Sequence, residues 1–138
     1  MGHVYAEIAL SNYADDIAVK EGRLDEREAR RTIVNSLVDS GATMLTITPS
    51  VQKQLGLRKI GEEVFILADQ REITCDIVGP VEVRFAGRFS LCDAVVMPHA
   101  NEVLLGAIPM EEMNLVIYPD EGRLDVNPKR RVARIGLR

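Results

Sequence analysis

Val4, Ala6, Ile8 and Leu10 alternate with Tyr5, Glu7 and Ala9. This period of two marks a strand with one buried face. Residues 11–29 are polar and acid-rich and read as a surface excursion with at most a short helical turn. Thr32 to Val38 is again strand-like and ends in the turn-forming Asp39-Ser40-Gly41-Ala42. Thr48-Pro49 reads as a helix N-cap followed by proline at the first helical position, and Gly56 as the stop of that helix. Glu63 to Leu67 and Glu72 to Val78 are strand-like runs joined by Ala68-Asp69-Gln70-Arg71, a hairpin pattern. Gly79-Pro80 reads as a break. Val81 to Phe85 and Phe89 to Met97 are two further strands. Val103-Leu104-Leu105-Gly106 is a short buried run, Pro109 to Met113 a short helix, and residues 115–126 a last hairpin. Many short strands separated by turns predict an all-β barrel or sandwich with one or two short helices.

Composition strengthens the β reading. Aromatic residues make up 4% of the chain and tryptophan is absent. The core must therefore rest on Val, Ile, Leu and Met, and the first two suit pleated sheets. The 138 residues suffice for one domain, expected over 1–128, and one core. Cys75 and Cys92 form no CxxC pair and read as reduced strand or core residues. No apolar run is long enough for a membrane span, and no basic and apolar leader opens the sequence. The expectation is a cytoplasmic protein. The last ten residues hold Lys129, Arg130, Arg131, Arg134 and Arg138 and no acid, within a chain of net charge −4. Such a 129–138 tail more often stays solvated than meets nucleic acid, so a nucleic-acid partner is not expected.

Chemistry concentrates at Leu37-Val38-Asp39-Ser40-Gly41-Ala42-Thr43. The two apolar residues anchor a strand end, and Asp39 sits where the strand turns. Ser40 supplies a hydroxyl that both donates and accepts. Gly41 lets its N–H approach the carboxylate, and Ala42 keeps the space open. Alone, Asp-Ser-Gly also serves as a plain turn, because Asp and Ser bond local backbone.

The tetrapeptide Asp39-Ser40-Gly41-Ala42 resembles the D-[ST]-G-[AS] signature of clan AA aspartic proteases, the group of retroviral proteases and pepsin. The likeness extends downstream. Leu104-Leu105-Gly106 followed by a short helix is similar to that clan's hydrophobic-hydrophobic-Gly element, and the hairpin between Val64 and Val78 occupies the place of its flap. The ordered set covers residues 30–126 and is similar to small prokaryotic-type retropepsin-like proteases. The resemblance implies a retropepsin-like barrel, one lobe per chain, that hydrolyses peptide bonds as a homodimer without cofactor or metal. Asp39, Ser40 and Gly41 would form the catalytic loop. Ala42, Ala68, Asp69, Gln70, Leu105 and Gly106 would meet the peptide, with pocket walls drawn from Ile47, Ile66, Ala68, Val96 and Leu105. Two departures stand out. Ala107 follows Gly106 where viral members carry a charged residue, and the flap tip Asp69-Gln70-Arg71 has no glycine.

Asp-Ser-Gly occurs once. A shared-proton dyad needs two carboxylates, so the second is expected from a symmetry mate of Asp39. The alternative is a dimeric binding module on the same fold with little or no proteolysis. His99 near Cys92 and Asp93 matches no zinc spacing. The acid pairs Asp15-Asp16 and Glu111-Glu112 read as solvated, and no histidine stands beside Ser36 or Ser40 to suggest a serine hydrolase.

Overall fold

A computed structural model describes residues 2–132, 135 and 136. Of the basic tail, Arg134 and Arg138 lie outside the described residues. The strands are β1 (Tyr5–Asn12), β2 (Arg31–Val38), β3 (Leu45–Ile47), β4 (Arg58–Ile66), β5 (Glu72–Phe85), β6 (Arg88–Val96), β7 (Val103–Leu105), β8 (Leu115–Tyr118) and β9 (Arg123–Val126). The helices are α1 (Tyr13–Lys20), α2 (Pro49–Leu55) and α3 (Ala107–Glu112), with 3-10 turns at Glu26–Glu28 and Pro119–Glu121. The described residues thus hold three short α-helices, where the pattern gave one or two.

Six strands close into a barrel in the order β1-β2-β7-β3-β6-β5, with β5 returning to β1 and β4 attached outside the ring to β5. Closure leaves β1 without a free edge. The alternation at the N-terminus puts Val4, Ala6, Ile8 and Leu10 inside, where they meet Leu45, Ile47, Val83 and Leu105. β8 and β9 form a separate hairpin that seats Leu124 in the same core.

β5 differs from expectation. It runs through Gly79-Pro80 as one strand of 14 residues. Its pairing with β6 shifts register between Val78 and Val81, and such an irregularity accommodates a residue without an N–H. Gly79 leaves room there for the Asp93 carboxylate, since a Cβ would stand 2.8 Å from Asp93 Oδ1 and displace it. The length lets one strand pair with β6 on one edge and, on the other, with β4 along its first half and β1 along its second.

The 11–29 excursion is also more ordered than its polarity suggests. Asn12 caps α1 by accepting from the Asp15 N–H at 3.1 Å, and its Nδ2 donates to the Leu55 carbonyl at 2.9 Å. Asp15 is not solvated as read. It is 9% exposed, and its Oδ2 accepts from the Arg30 N–H and Nε, each at 2.9 Å. The Arg30 guanidinium lies against Gly56. Gly56 ends α2 at φ 60°, so the excursion is tied to the helix that follows β3. At the other end of α2, Thr48 Oγ1 accepts from the Val51 N–H at 3.1 Å, as the Thr-Pro signature predicts.

Candidate active site

β7 lies between β2 and β3. It is parallel to β2, with Val38 opposite Leu105, and antiparallel to β3, with Thr46 opposite Leu104. The segment 39–44 must therefore step over β7 to join its two neighbours. The chain leaving β7 fastens that crossing. The Asp39 N–H donates to the Leu105 carbonyl at 3.0 Å, the Ala107 N–H to the Ala42 carbonyl at 2.7 Å, and the Ile108 N–H to the Thr43 carbonyl at 2.9 Å. Gly106 is buried between the two passes. A Cβ there would collide with the Met44 carbonyl oxygen and lie 2.7 Å from that of Ala42. Gly106 is thus a point of close backbone approach as well as the start of α3, which begins at Ala107, two residues before the predicted Pro109.

Within this braced loop Asp39 as a residue is partly buried. Its Oδ1 accepts from the Gly41 N–H at 2.9 Å, and its backbone carbonyl accepts from the Ala42 N–H at 3.1 Å. A Cβ on Gly41 would approach Oδ1 to 3.2 Å, so glycine keeps that donor accessible. Ser40 is exposed at the turn. A carboxylate fixed in this way is oriented before any ligand arrives, which suits general acid–base work.

A cleft of about 830 Å³ opens beside the loop. Gly41 to Met44 form one side and Glu63, Phe65, Ile66 and Leu67 another, while Thr46, Val95, Met97 and Leu104 lie along it. Its size and mixed lining fit a ligand site. A second hollow, of about 490 Å³, lies between α1, β1 and β5. It shares no residue with the Asp39 loop, and four of its charged groups pair among themselves, Asp16 with Arg31 and Glu82 with Arg84, while Lys20 and Glu26 are in no ion pair among the described residues.

The expected contact residues are distributed unevenly. Ala42 and Ile66 line the cleft. Leu105, Ile47 and Val96 do not, being 0%, 0% and 7% exposed within the barrel core. Alternation along β7 instead turns Leu104 to the cleft, and nothing in the run of two leucines distinguishes them beforehand. Ala68, Asp69 and Gln70 are exposed at the hairpin tip, outside the cleft lining. There Leu67 and Arg71 pair, the Gln70 N–H donates to the Leu67 carbonyl at 2.9 Å, and Gln70 takes φ 71°. This is a three-residue hairpin loop with its last residue left-handed. Glu63 and Glu102, both lining the cleft, escaped sequence reasoning, because nothing local separates them from solvated surface acids.

Among the described residues no group of three His, Cys, Asp or Glu side chains could hold a metal ion, and no helix is long and apolar enough to cross a membrane.

A closed six-strand barrel with an Asp-Ser-Gly-Ala crossing, braced by a Leu-Leu-Gly strand end, defines a retropepsin-like acid-protease lobe. The family model described as aspartyl protease matches residues 27–124, and the chain belongs to that family. No curated protein matches the chain.

Proposed function

We propose that the protein is an aspartic endopeptidase whose dyad is made by Asp39 of two copies of the chain. The observation that carries this reading is the Asp39 carboxylate, oriented by the Gly41 N–H at 2.9 Å in a loop whose residues Gly41 to Met44 line the 830 Å³ cleft, Asp39 and Ser40 themselves standing outside that lining. The chain holds a single Asp-Ser-Gly loop, and among the described residues Asp39 Oδ2 accepts no hydrogen bond. A two-fold axis beside the loop would bring two such oxygens together.

Carboxylates about 3 Å apart share one proton. The ionised Asp39 takes a proton from the attacking water, while the protonated one passes its proton to the scissile carbonyl oxygen. Water adds to the carbonyl carbon to give a tetrahedral diol. Collapse breaks the C–N bond, and the leaving amine receives a proton from the dyad. This sequence calls for neither metal nor organic cofactor. Ser40 would brace the two loops near the axis. The β4–β5 hairpin, with Ala68, Asp69 and Gln70 at its tip, would close over an extended peptide and pair with its backbone.

The test is cleavage of a diverse peptide library from acid to neutral pH by wild type and Asp39→Asn, with sedimentation of both. Cleavage by wild type alone, from a dimer that both proteins form, is the expected result. Cleavage by both would remove Asp39 from the chemistry. Silence from both, with the dimer intact, would favour the binding module.

A further inference from the structure

We propose that the cleft selects extended peptides in which a positively charged side chain sits among apolar ones, and that Glu63 and Glu102 make the selection. This rests on the cleft being the peptide site of the proposed function.

Its walls are largely apolar, with Phe65, Ile66, Leu67, Val95, Met97 and Leu104. Among the described residues that line it, Glu63 and Glu102 are the only charged ones, and none is a cation. They come from different parts of the chain: Glu63 from β4, the outer strand of the hairpin, and Glu102 from the residues just before β7. The cleft therefore carries acidic groups supplied by two separate segments of the chain.

Arg58, at the far end of β4, is in no ion pair among the described residues, but the hairpin's other cations are engaged. Lys59 lies 3.3 Å from Asp76 and also pairs with Glu62, and Arg71 pairs with Asp69. Glu63 and Glu102 are in no ion pair among the described residues. Glu102 is held in place by the Tyr5 hydroxyl, which donates to its Oε1 at 3.3 Å. The adjacent negative charge of Glu102 pushes the Tyr5 hydroxyl pKa up, so that hydroxyl remains a donor at neutral pH. Two uncompensated carboxylates beside an apolar wall create a negative potential that favours a cation and disfavours an anion. The aliphatic stem of lysine or arginine would meanwhile lie along Ile66 or Leu104.

The experiment uses full-length Asp39→Asn, so that the probes stay intact. Fluorescent ten-residue apolar peptides carry Lys, norleucine or Glu at each position in turn, and affinity is read by anisotropy. At one position or more, Lys should bind at least about fivefold tighter than Glu. Glu63→Gln and Glu102→Gln should each reduce that preference about twofold to fivefold, the range for exposed ion pairs, and Glu63→Lys with Glu102→Lys should reverse it. Both residues are exposed, so these variants retain the fold, which circular dichroism checks. Equal affinity for the three peptide series, no measurable binding, or a preference untouched by every substitution would overturn the proposal. Wild-type cleavage of the same peptides separates this outcome from the enzyme reading. Cleavage without charge preference retires the inference and leaves proteolysis standing. Charge-selective binding without cleavage keeps the inference and removes proteolysis.

Discussion

Gly106 passes so close to Met44 that a Cβ would meet the Met44 carbonyl oxygen, with the Ala42 carbonyl 2.7 Å away on the same side. The obstacle is backbone on both counts and cannot swing aside as a side chain would. The two segments in contact are the ones that position Asp39, so packing and chemistry are joined at this crossing.

Gly106→Ala is therefore expected to destabilise the protein by about 2–3 kcal/mol, the upper part of the overpacking range. It should also lower cleavage more than stability alone explains, since the Ala42–Ala107 and Thr43–Ile108 hydrogen bonds must shift. Urea unfolding and activity at a temperature where the variant is folded measure the two effects. A neutral substitution would show that the loop is not fastened here.

At the hairpin tip, Gln70 holds φ 71° without being glycine. Gln70→Val should cost about 1–2 kcal/mol, because a β-branched side chain is poorly accommodated in the left-handed region. Gln70→Gly should stay within about 1 kcal/mol of wild type, as strain relief is offset by a freer unfolded chain. Thermal unfolding of both variants checks the order, and Val equal to Gly would contradict the turn geometry.

The excursion's anchor makes an acid-dependent contribution. Hydrogen bonds from Arg30 hold the Asp15 carboxyl below its ordinary value of 3.8, against the opposing effect of burial. A carboxyl with a lowered folded-state pKa contributes stability above 3.8 that fades as pH falls through the lower folded value. Asp15→Asn should therefore be less stable than wild type at neutral pH by about 1–2 kcal/mol. A fully buried pair would give more, but the Arg30 side chain is 49% exposed. The gap should close below pH 3.8. Unfolding free energies measured from neutral pH into acid provide the comparison, and a constant gap would refute the linkage.

Both cysteines are free, and both thiols are held back from ionising. Burial pushes the Cys92 pKa up to about 12, with the nearby Glu112 charge adding to it, and burial likewise raises that of Cys75. The thiolate is the reactive form. Iodoacetamide at mildly alkaline pH should leave the native protein unmodified and label both residues in urea, as read by mass spectrometry.

Much of this architecture could be read from local pattern. The period of two over Val4 to Leu10 gave the inward face of β1, and Thr48-Pro49 with Gly56 bounded α2. Asp39-Ser40-Gly41-Ala42 pointed to the loop because its chemistry is local: the donor to Asp39 Oδ1 is two residues away. What escaped depends on distant partners. α1 is eight residues that would be marginal alone, and its order comes from Asn12 reaching Leu55 and Asp15 reaching Arg30. The continuity of β5 through Pro80 depends on β6 accepting a register shift. The choice of Leu104 over Leu105 for the cleft is set by which face of a three-residue strand meets the core, and a pair of leucines carries no sign of that. Glu63 and Glu102 become neighbours of one cleft only when the barrel closes.

The central claim is that two copies of Asp39 act together. Its most direct test is peptide cleavage by wild-type chain mixed with Asp39→Asn and allowed to exchange subunits, at fixed total concentration. If each site needs Asp39 from both partners, activity should fall as the square of the wild-type fraction, to about one quarter at an equal mixture. A linear fall to about one half would mean that each wild-type chain works by itself, and would contradict the shared dyad.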